Sequence, residues 1–395
     1  MKNSQAKYAV FASFTTMLVM AMSYAIRGML VPTFKEVFTI GNSEIGWLIS
    51  TTTIVTMLFS YGGSMMCMRY GQKPILIIGT LVSGLSYYLT SFANSYTALF
   101  VGYIGITIGA ASVIIAMNTM IPLLQIQAQT LIMNLLHFFF GFGVTLSQSV
   151  SGYLLSIGTH WRMLFVISAA LYVVNLLIIL PMRGPSGTGK VRKGKSTPIP
   201  HKGMLAFIIL AIGFYVSAEL QTGNWFVNYL KDTYGYAEST AASFSAMFFG
   251  CFALGRLLGG FISQKYGPFK CVLISISIAV TLYTAGLMLG EPGLYLVSFS
   301  GAFFGLIYPT MLVVTASLYP NTSVKVIGIL STITNLVTFI TGLLMGYMND
   351  WIGTSLTFWM IPGFLLASLS LFLVVAKYMK QPEISEIIEK AAQSA

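Results

Sequence analysis

The chain has 395 residues, of which 56% are hydrophobic and only 8% charged, with a mean hydropathy of +0.81. About a quarter of a soluble globular protein is charged, so this composition argues against a soluble enzyme, a secreted disulfide scaffold and a disordered chain, and for an integral membrane protein. A net charge of +11 would suggest nucleic acid in a soluble protein, but here it reads as basic loops on one side of a membrane.

The opening residues, MKNSQAKYAV, lead into an apolar stretch too long for a signal-peptide core and without a clear cleavage site, so it reads as a retained first span. A spanning helix needs about 20 mainly apolar residues. Segments of that kind lie near 8–33, 44–66, 74–93, 97–122, 130–156 and 162–181, and again near 204–230, 239–262, 271–289, 294–318, 324–348 and 353–377. The polar, basic, Gly/Pro/Ser-rich stretch 182–203 between the two sets predicts a linker. The expected organisation is a six-helix half at 1–181, the linker, a second six-helix half at 204–380 and a tail at 381–395. In the tail, Ile384, Ile387, Ile388 and Ala391 alternate with Glu383, Glu386 and Glu389, which fits either a surface-lying amphipathic helix or a solvated end. With the N-terminus inside, sixteen Lys and Arg fall on the cytoplasmic side, and only Lys35, Arg162 and Lys231 fall outside. Both termini and the linker are therefore expected in the cytoplasm, in a cell (inner) membrane.

The halves echo each other. Met68-Arg69-Tyr70-Gly71-Gln72-Lys73 follows the second span, and Gln264-Lys265-Tyr266-Gly267-Pro268-Phe269-Lys270 follows the eighth. Such duplication is typical of transporters with parallel repeats. The loops resemble degenerate copies of the major facilitator motif G-x-x-x-D-R/K-x-G-R/K. The second copy keeps Gly260, Lys265 and Gly267 with Gln264 at the acidic position; the first keeps Arg69 and Gly71, with Ser64 and Met68 replacing the glycine and the acid. The resemblance implies an all-α membrane protein of twelve transmembrane helices in two pseudo-symmetric halves, with the first, fourth, fifth, seventh, tenth and eleventh spans framing a central site. A narrower resemblance, to the fucose-permease-like sugar:proton symporters, rests on Asn134-Leu-Leu-His137-Phe-Phe-Phe140-Gly141-Phe-Gly143, on Tyr215-Val-Ser-Ala-Glu219 followed by Gly223-Asn-Trp225 and Tyr229-Leu230, and on Gly28, Pro32 and Phe34. The departures are specific. Where that group places acids in the first and fourth spans stand Gly28 and Ile114, although Asn118 fits a fourth-span Asn, and the usual Pro after the fifth-span glycines is Gln148.

An ionisable residue inside a bilayer is expensive, and its default reading is functional; four are expected here, Arg27, His137, Glu219 and Arg256. Arg27 shares one face with Thr16, Met20, Ser23 and Tyr24. It either offers a carboxylate, sulfonate or phosphate two parallel hydrogen bonds or snorkels to the headgroups. Glu219 is the one acid in the interior of any predicted span, Glu44 standing at the very start of the second. Burial favours a neutral carboxyl, which makes Glu219 a proton-carrier candidate that either pairs with a neighbouring helix or is brought to the cavity by a break at Gly223. On the fifth span Asn134, His137, Phe138, Gly141, Thr145 and Gln148 form a stripe suited to a polar ligand, with His137 either a proton-transfer group or a buried neutral imidazole. Gln221, Asn224, Trp225 and Asn228 share a face of the seventh span, and Ser331, Thr334, Asn335 and Thr338 one of the eleventh. The expected substrate contacts are Tyr24, Arg27, Asn118, Asn134, His137, Gln148, Gln221, Asn224, Trp225, Asn228, Tyr308 and Asn335. Arg256, with Arg69 and Lys265, is expected at the cytoplasmic gate.

Gly184-Pro-Ser-Gly-Thr-Gly189-Lys190 matches G-x-x-x-x-G-K, but Val191 stands where a P-loop needs Ser or Thr. The three cysteines, Cys67, Cys251 and Cys271, lack metal or disulfide spacing. No metal, cofactor, enzymatic activity or nucleic-acid partner is expected. The reading is a monomeric secondary transporter in the lipid bilayer, moving a small polar organic solute (a sugar, a sugar-like acid or an organic acid, with Arg27 meeting an anionic group) by alternating access with proton symport. Its rivals are an exporter or flippase of amphipathic drugs or lipids, and a non-transporting sensor on the same fold.

Overall fold

The computed structural model describes residues 3–123, 129–183, 201–319 and 322–380. Among them are fourteen α-helices, one short 3-10 turn and no strand: α1 (Asn3–Met29), α2 (Val31–Phe38), α3 (Asn42–Tyr70), α4 (Gln72–Thr90), α5 (Tyr96–Leu123), α6 (Gln129–Ser156), α7 (Trp161–Ile179), α8 (Lys202–Tyr234), α9 (Glu238–Tyr266), α10 (Pro268–Met288), α11 (Leu294–Leu318), α12 (Ser323–Ile352), α13 (Thr354–Thr357) and α14 (Met360–Met379). The first predicted span is α1 continued by α2, and the last is α13 with α14. Eleven segments are long and apolar enough to cross a membrane. The twelfth, α4, has 19 residues and packs on α5 and α7; at 1.5 Å per residue it is about 28 Å long, close to the bilayer core. Leu81, Leu85, Val101, Leu177, Phe261 and Leu373 are exposed on the outside of the bundle, as a lipid-facing surface requires. The P-loop-like stretch and the amphipathic tail pattern lie outside the described residues.

Packing follows a two-fold pattern. Within the first half, α1 packs on α6 and α7, α4 on α5 and α7, and α3 on α5; within the second, α8 packs on α12 and α14, α10 on α11 and α14, and α9 on α11. These are the same pairings shifted by six spans. The repeated loops are likewise repeated turns. Gly71 ends α3 at φ 87° and Gly267 ends α9 at φ 90°, each donating its N–H four residues back, to the carbonyls of Cys67 and Ser263. A left-handed φ at a helix end is easiest for glycine, which explains why this residue recurs in both copies.

The halves meet along α3–α12, α6–α9 and α1–α8. Gly46 and Gly346 bring α3 and α12 into backbone contact: a Cβ on Gly346 would lie 2.7 Å from the Gly46 Cα. Every hydrogen bond and ion pair joining the halves among the described residues lies at one face, opposite the one that carries the N-terminus. Lys35 of α2 reaches Asp232 of α8 at 2.9 Å and donates to Asn228 at 3.1 Å. Lys231 pairs with Glu36 at 2.6 Å, and the Thr33 hydroxyl donates to Glu238 at 2.7 Å. Asp350, at the end of α12, accepts from the Asn42 backbone and side-chain amides at 2.8 and 2.9 Å and from the Ser43 N–H at 2.6 Å. One half thus caps a helix N-terminus of the other, matching a carboxylate to the positive end of α3. Toward the N-terminal face Leu58, Phe59, Met65 and Met66 of α3 are exposed.

Asp350→Ala leaves three donors without their acceptor and is expected to weaken closure of this face by about 1–3 kcal/mol. Spin labels at Val37→Cys and Trp351→Cys, exposed sites on opposite halves, should then show a longer-distance population. An unchanged distance distribution would rule the cap out as a determinant of closure. Gly346→Val should have a larger effect in the same measurement, because its side chain meets backbone, which cannot rotate away.

Candidate functional site

Two adjoining chambers occupy the centre, of about 220 and 260 Å³, sharing Ile114, Phe140 and Asn335. The first belongs mainly to the N-terminal half, with Met20, Tyr24 and Arg27 of α1, Thr52, Thr53 and Thr56 of α3, and Thr107 of α5. The second belongs mainly to the C-terminal half, with Glu219 of α8, Arg256 of α9, Tyr308 and Pro309 of α11, and Ser331 and Thr334 of α12; Met17 and His137 complete it. Pro309 lies inside α11, where it has no N–H for the i−4 carbonyl, so the irregular turn falls on the cavity wall.

Arg27 does not snorkel to the headgroups. Its guanidinium lies 4.2 Å from the centre of the Tyr24 ring and 5.9 Å from that of Tyr103. Its Nη1 is 3.5 Å from the Thr107 hydroxyl, and Nε is buried without a partner. No carboxylate pairs with it among the described residues. The rest of its predicted face divides: Thr16 is buried against Asn175 of α7, and the Ser23 carbonyl accepts from Tyr87, while Met20 and Tyr24 stay in the cavity.

Glu219 both pairs with a neighbouring helix and reaches the cavity, without a break in α8, which runs unbroken through Gly223. Its Oε1 lies 3.6 Å from Arg256 Nη2, and its Oε2 is 2.8 Å from the Tyr215 hydroxyl. The same hydroxyl is 2.6 Å from the Phe304 carbonyl. Arg256 also packs over the Phe252 ring at 4.2 Å. The sequence reading set Arg256 aside as a gate residue; the geometry places it on the cavity wall.

The other predicted residues separate clearly. Tyr24, Arg27, His137, Glu219, Tyr308 and Asn335 are brought together around the chambers. Gln221, Asn224, Trp225 and Asn228 are not. Asn228 is tied into the Lys35–Asp232 pair, and Asn224 lies against Gly28 of α1. Gln221 points at the α12 backbone near Gly342, and Trp225 is fully buried. Their shared face of α8 forms the closed seam rather than the cavity wall. Gln148 is buried outside both chambers, and the Asn118 Oδ1 is buried without a partner about one turn beyond Ile114. Asn134 lies on α6, its side chain outside the described residues. Arg69 and Lys265 are exposed at the two equivalent turns, each beside the ring of the following tyrosine at 5.3 and 5.2 Å. The sequence reading missed Phe140, which walls both chambers where Phe138 was expected, and the α3 threonines Thr52, Thr53 and Thr56. Polar residues in a predicted span off the chosen helices were the available signal. Two of the three departures from the fucose-permease pattern also have places here: a side chain at Gly28 would lie 2.3 Å from the Gly223 carbonyl, and Ile114 faces both chambers.

This architecture recurs in known proteins. A bacterial homologue of the human lysosomal transporter Spinster, solved in an inward-facing and occupied conformation, superposes with a TM-score of 0.77 at 15% identity, covering 95% of this chain and 98% of that one. The E. coli fucose:proton symporter superposes with a TM-score of 0.65 at 18% identity, covering 94% and 98%. In sequence, the uncharacterized MFS-type transporter YceJ of Bacillus subtilis (strain 168) is 24% identical over 328 residues, 79% of this chain and 82% of that protein. The Major Facilitator Superfamily profile matches residues 12–323 and 204–393. With the paired halves and central cavity already in view, the chain belongs to the Major Facilitator Superfamily of membrane transporters, which are not enzymes.

Proposed function

We propose that the protein is a proton-coupled secondary transporter that moves a small polar organic solute, a sugar or an organic acid, through the Arg27–Arg256 cavity by alternating access. The halves that move are 1–181 and 204–380, joined by the 182–203 linker and followed by the 381–395 tail. The excess of Lys and Arg at the N-terminal face assigns that face to the cytoplasm. The closed face is then external, and the conformation is inward-open.

One observation carries the proton reading. A phenol has a single proton, yet the Tyr215 hydroxyl lies within hydrogen-bond distance of both the Phe304 carbonyl and the Glu219 carboxylate. The carbonyl can only accept. When Tyr215 donates to it, the contact with Glu219 is a hydrogen bond only if Glu219 carries a proton and donates to the phenolic oxygen. When Glu219 is ionised, Tyr215 turns to it and the Phe304 carbonyl loses its partner. The site is therefore built for two protonation states of one acid that faces the cavity and sits beside a cation able to respond to the change. The fucose:proton symporter, which shares the fold, adds a parallel for coupling to protons.

The test is uptake of labelled sugars, sugar acids and small carboxylates into proteoliposomes, with and without an imposed pH gradient. For one coupled proton the parent protein should accumulate its solute up to about tenfold more per pH unit of gradient, one unit being worth about 1.4 kcal/mol. Glu219→Gln should abolish that accumulation while preserving solute exchange at equal pH. Gradient-driven accumulation by the Gln variant would remove Glu219 as the proton carrier.

A further inference from the structure

We infer that the transported solute is an organic dianion, held by Arg27 in one half and Arg256 in the other, and that the proton on Glu219 frees Arg256 to take the second carboxylate. The inference rests on the proton-carrier reading of Glu219 and narrows it to a substrate class.

The chambers hold two arginines and one carboxylate. Arginine keeps its charge in proteins, and an unmatched charge in a closed, dry cavity is strongly unfavourable. Arg27 has no acid partner among the described residues, only a hydroxyl at 3.5 Å and aromatic faces. Arg256 has one, through a single contact of 3.6 Å, and its Nε is left without a partner. That is not the two-pronged fork a guanidinium makes with a carboxylate at its strongest, so a better-placed carboxylate can replace it once Glu219 is neutral.

The loaded states can be compared directly. A neutral sugar leaves Arg27 unmatched. A monoanion matches Arg27 but leaves Arg256 unmatched when Glu219 is protonated, so it gains nothing from the proton. A dianion with one proton on Glu219 matches both arginines and leaves the cavity neutral. The proton comes from water on one side, resides on the Glu219 carboxyl during passage, and leaves to water on the other. Ile114, Phe140 and Asn335 line both chambers, so the two cations stand on adjoining cavities that the carbon chain of such a solute would bridge. The groups facing Glu219 are Tyr215 on its own helix, Arg256 from α9, Tyr308 from α11, His137 from α6 and Tyr24 from α1; α12 contributes neutral side chains only.

Calorimetric titration of the purified full-length protein tests this with α,ω-dicarboxylates from butanedioate to octanedioate, their monomethyl esters and the matching diols, between about pH 8 and about pH 6, where free carboxylates are largely ionised. One dicarboxylate should bind more tightly as pH falls, by up to about tenfold per pH unit. Its monoester should bind more weakly and show no such slope, and the diol should not compete. Glu219→Gln, locked in the neutral form, should bind the dicarboxylate tightly at every pH. His137→Gln should keep the parent's slope. Arg27→Gln should lose about ten- to a hundredfold in affinity, with Arg27→Lys recovering part of it, and the thermal midpoints of the variants separate a binding loss from misfolding. Tight binding of a neutral sugar indifferent to Arg27→Gln would overturn the dianion assignment while leaving proton-coupled transport intact. A pH slope that survives Glu219→Gln would overturn the exchange at Arg256. Absence of gradient-driven uptake of any solute class would instead overturn the transport reading beneath both.

Discussion

A guanidinium keeps its proton at any pH the protein meets, and the interior of a membrane protein supplies little water to solvate it. That constraint organises the centre of the molecule. Of the two cavity arginines, Arg256 is matched by Glu219 within its own half and Arg27 by nothing charged among the described residues. The surrounding side chains moderate the charge without cancelling it. Tyr24 and Phe252 each present a ring at 4.2 Å, and a cation over an aromatic face gains about 0.5–2 kcal/mol, far less than a buried charge loses. The halves therefore face one another across a cavity that carries surplus positive charge when empty, which makes it selective for what enters.

Closure of the face opposite the N-terminus is governed by a different balance. Its ion pairs are partly exposed, and such pairs contribute at most about 1 kcal/mol each. A closure made of several weak contacts can be undone and remade in every cycle, which one deep, dry interface could not. The backbone contact of Gly46 with Gly346 and the capping of α3 by Asp350 give it register. Lys35 and Lys231, two of the three basic residues the sequence places outside, are committed to this closure. Their lone positions in an otherwise base-poor set of loops thus have a mechanical meaning beyond topology.

What could be read from the sequence follows from what is local. Apolar length specifies spans, and a left-handed turn specifies glycine, so the twelve-helix architecture and the echo of Gly71 in Gly267 were legible. Rotation of a helix about its axis is not local; neighbours determine it. The polar residues of α8 illustrate this. Gln221, Asn224 and Asn228 share a face with the spacing of a ligand-binding wall, but α1, α2 and α12 cover that face, and Glu219, on a different face, meets the cavity instead. The same ambiguity hid Phe140 behind Phe138. Arg256 was assigned to the gate from its distance to the Gly267 turn, and only its pairing with Glu219 shows that the side chain extends into the cavity.

Among the described residues no acid of the first half lines the cavity, and at Gly28 the reason is steric. α1 and α8 touch where Gly28 meets the Gly223 carbonyl, and a carboxylate side chain at Gly28 would have to pass through that backbone. At the other position where the related symporters carry an acid stands Ile114, whose side chain walls both chambers without charge. Neither position can take up a proton. The one cavity acid among the described residues is in the opposite half, next to an arginine. On the proposed reading a proton there acts directly on the pairing of Arg256 and reaches Arg27 only through the solute, so the solute's two ends tie the unmatched cation of one half to the proton-sensitive pair of the other.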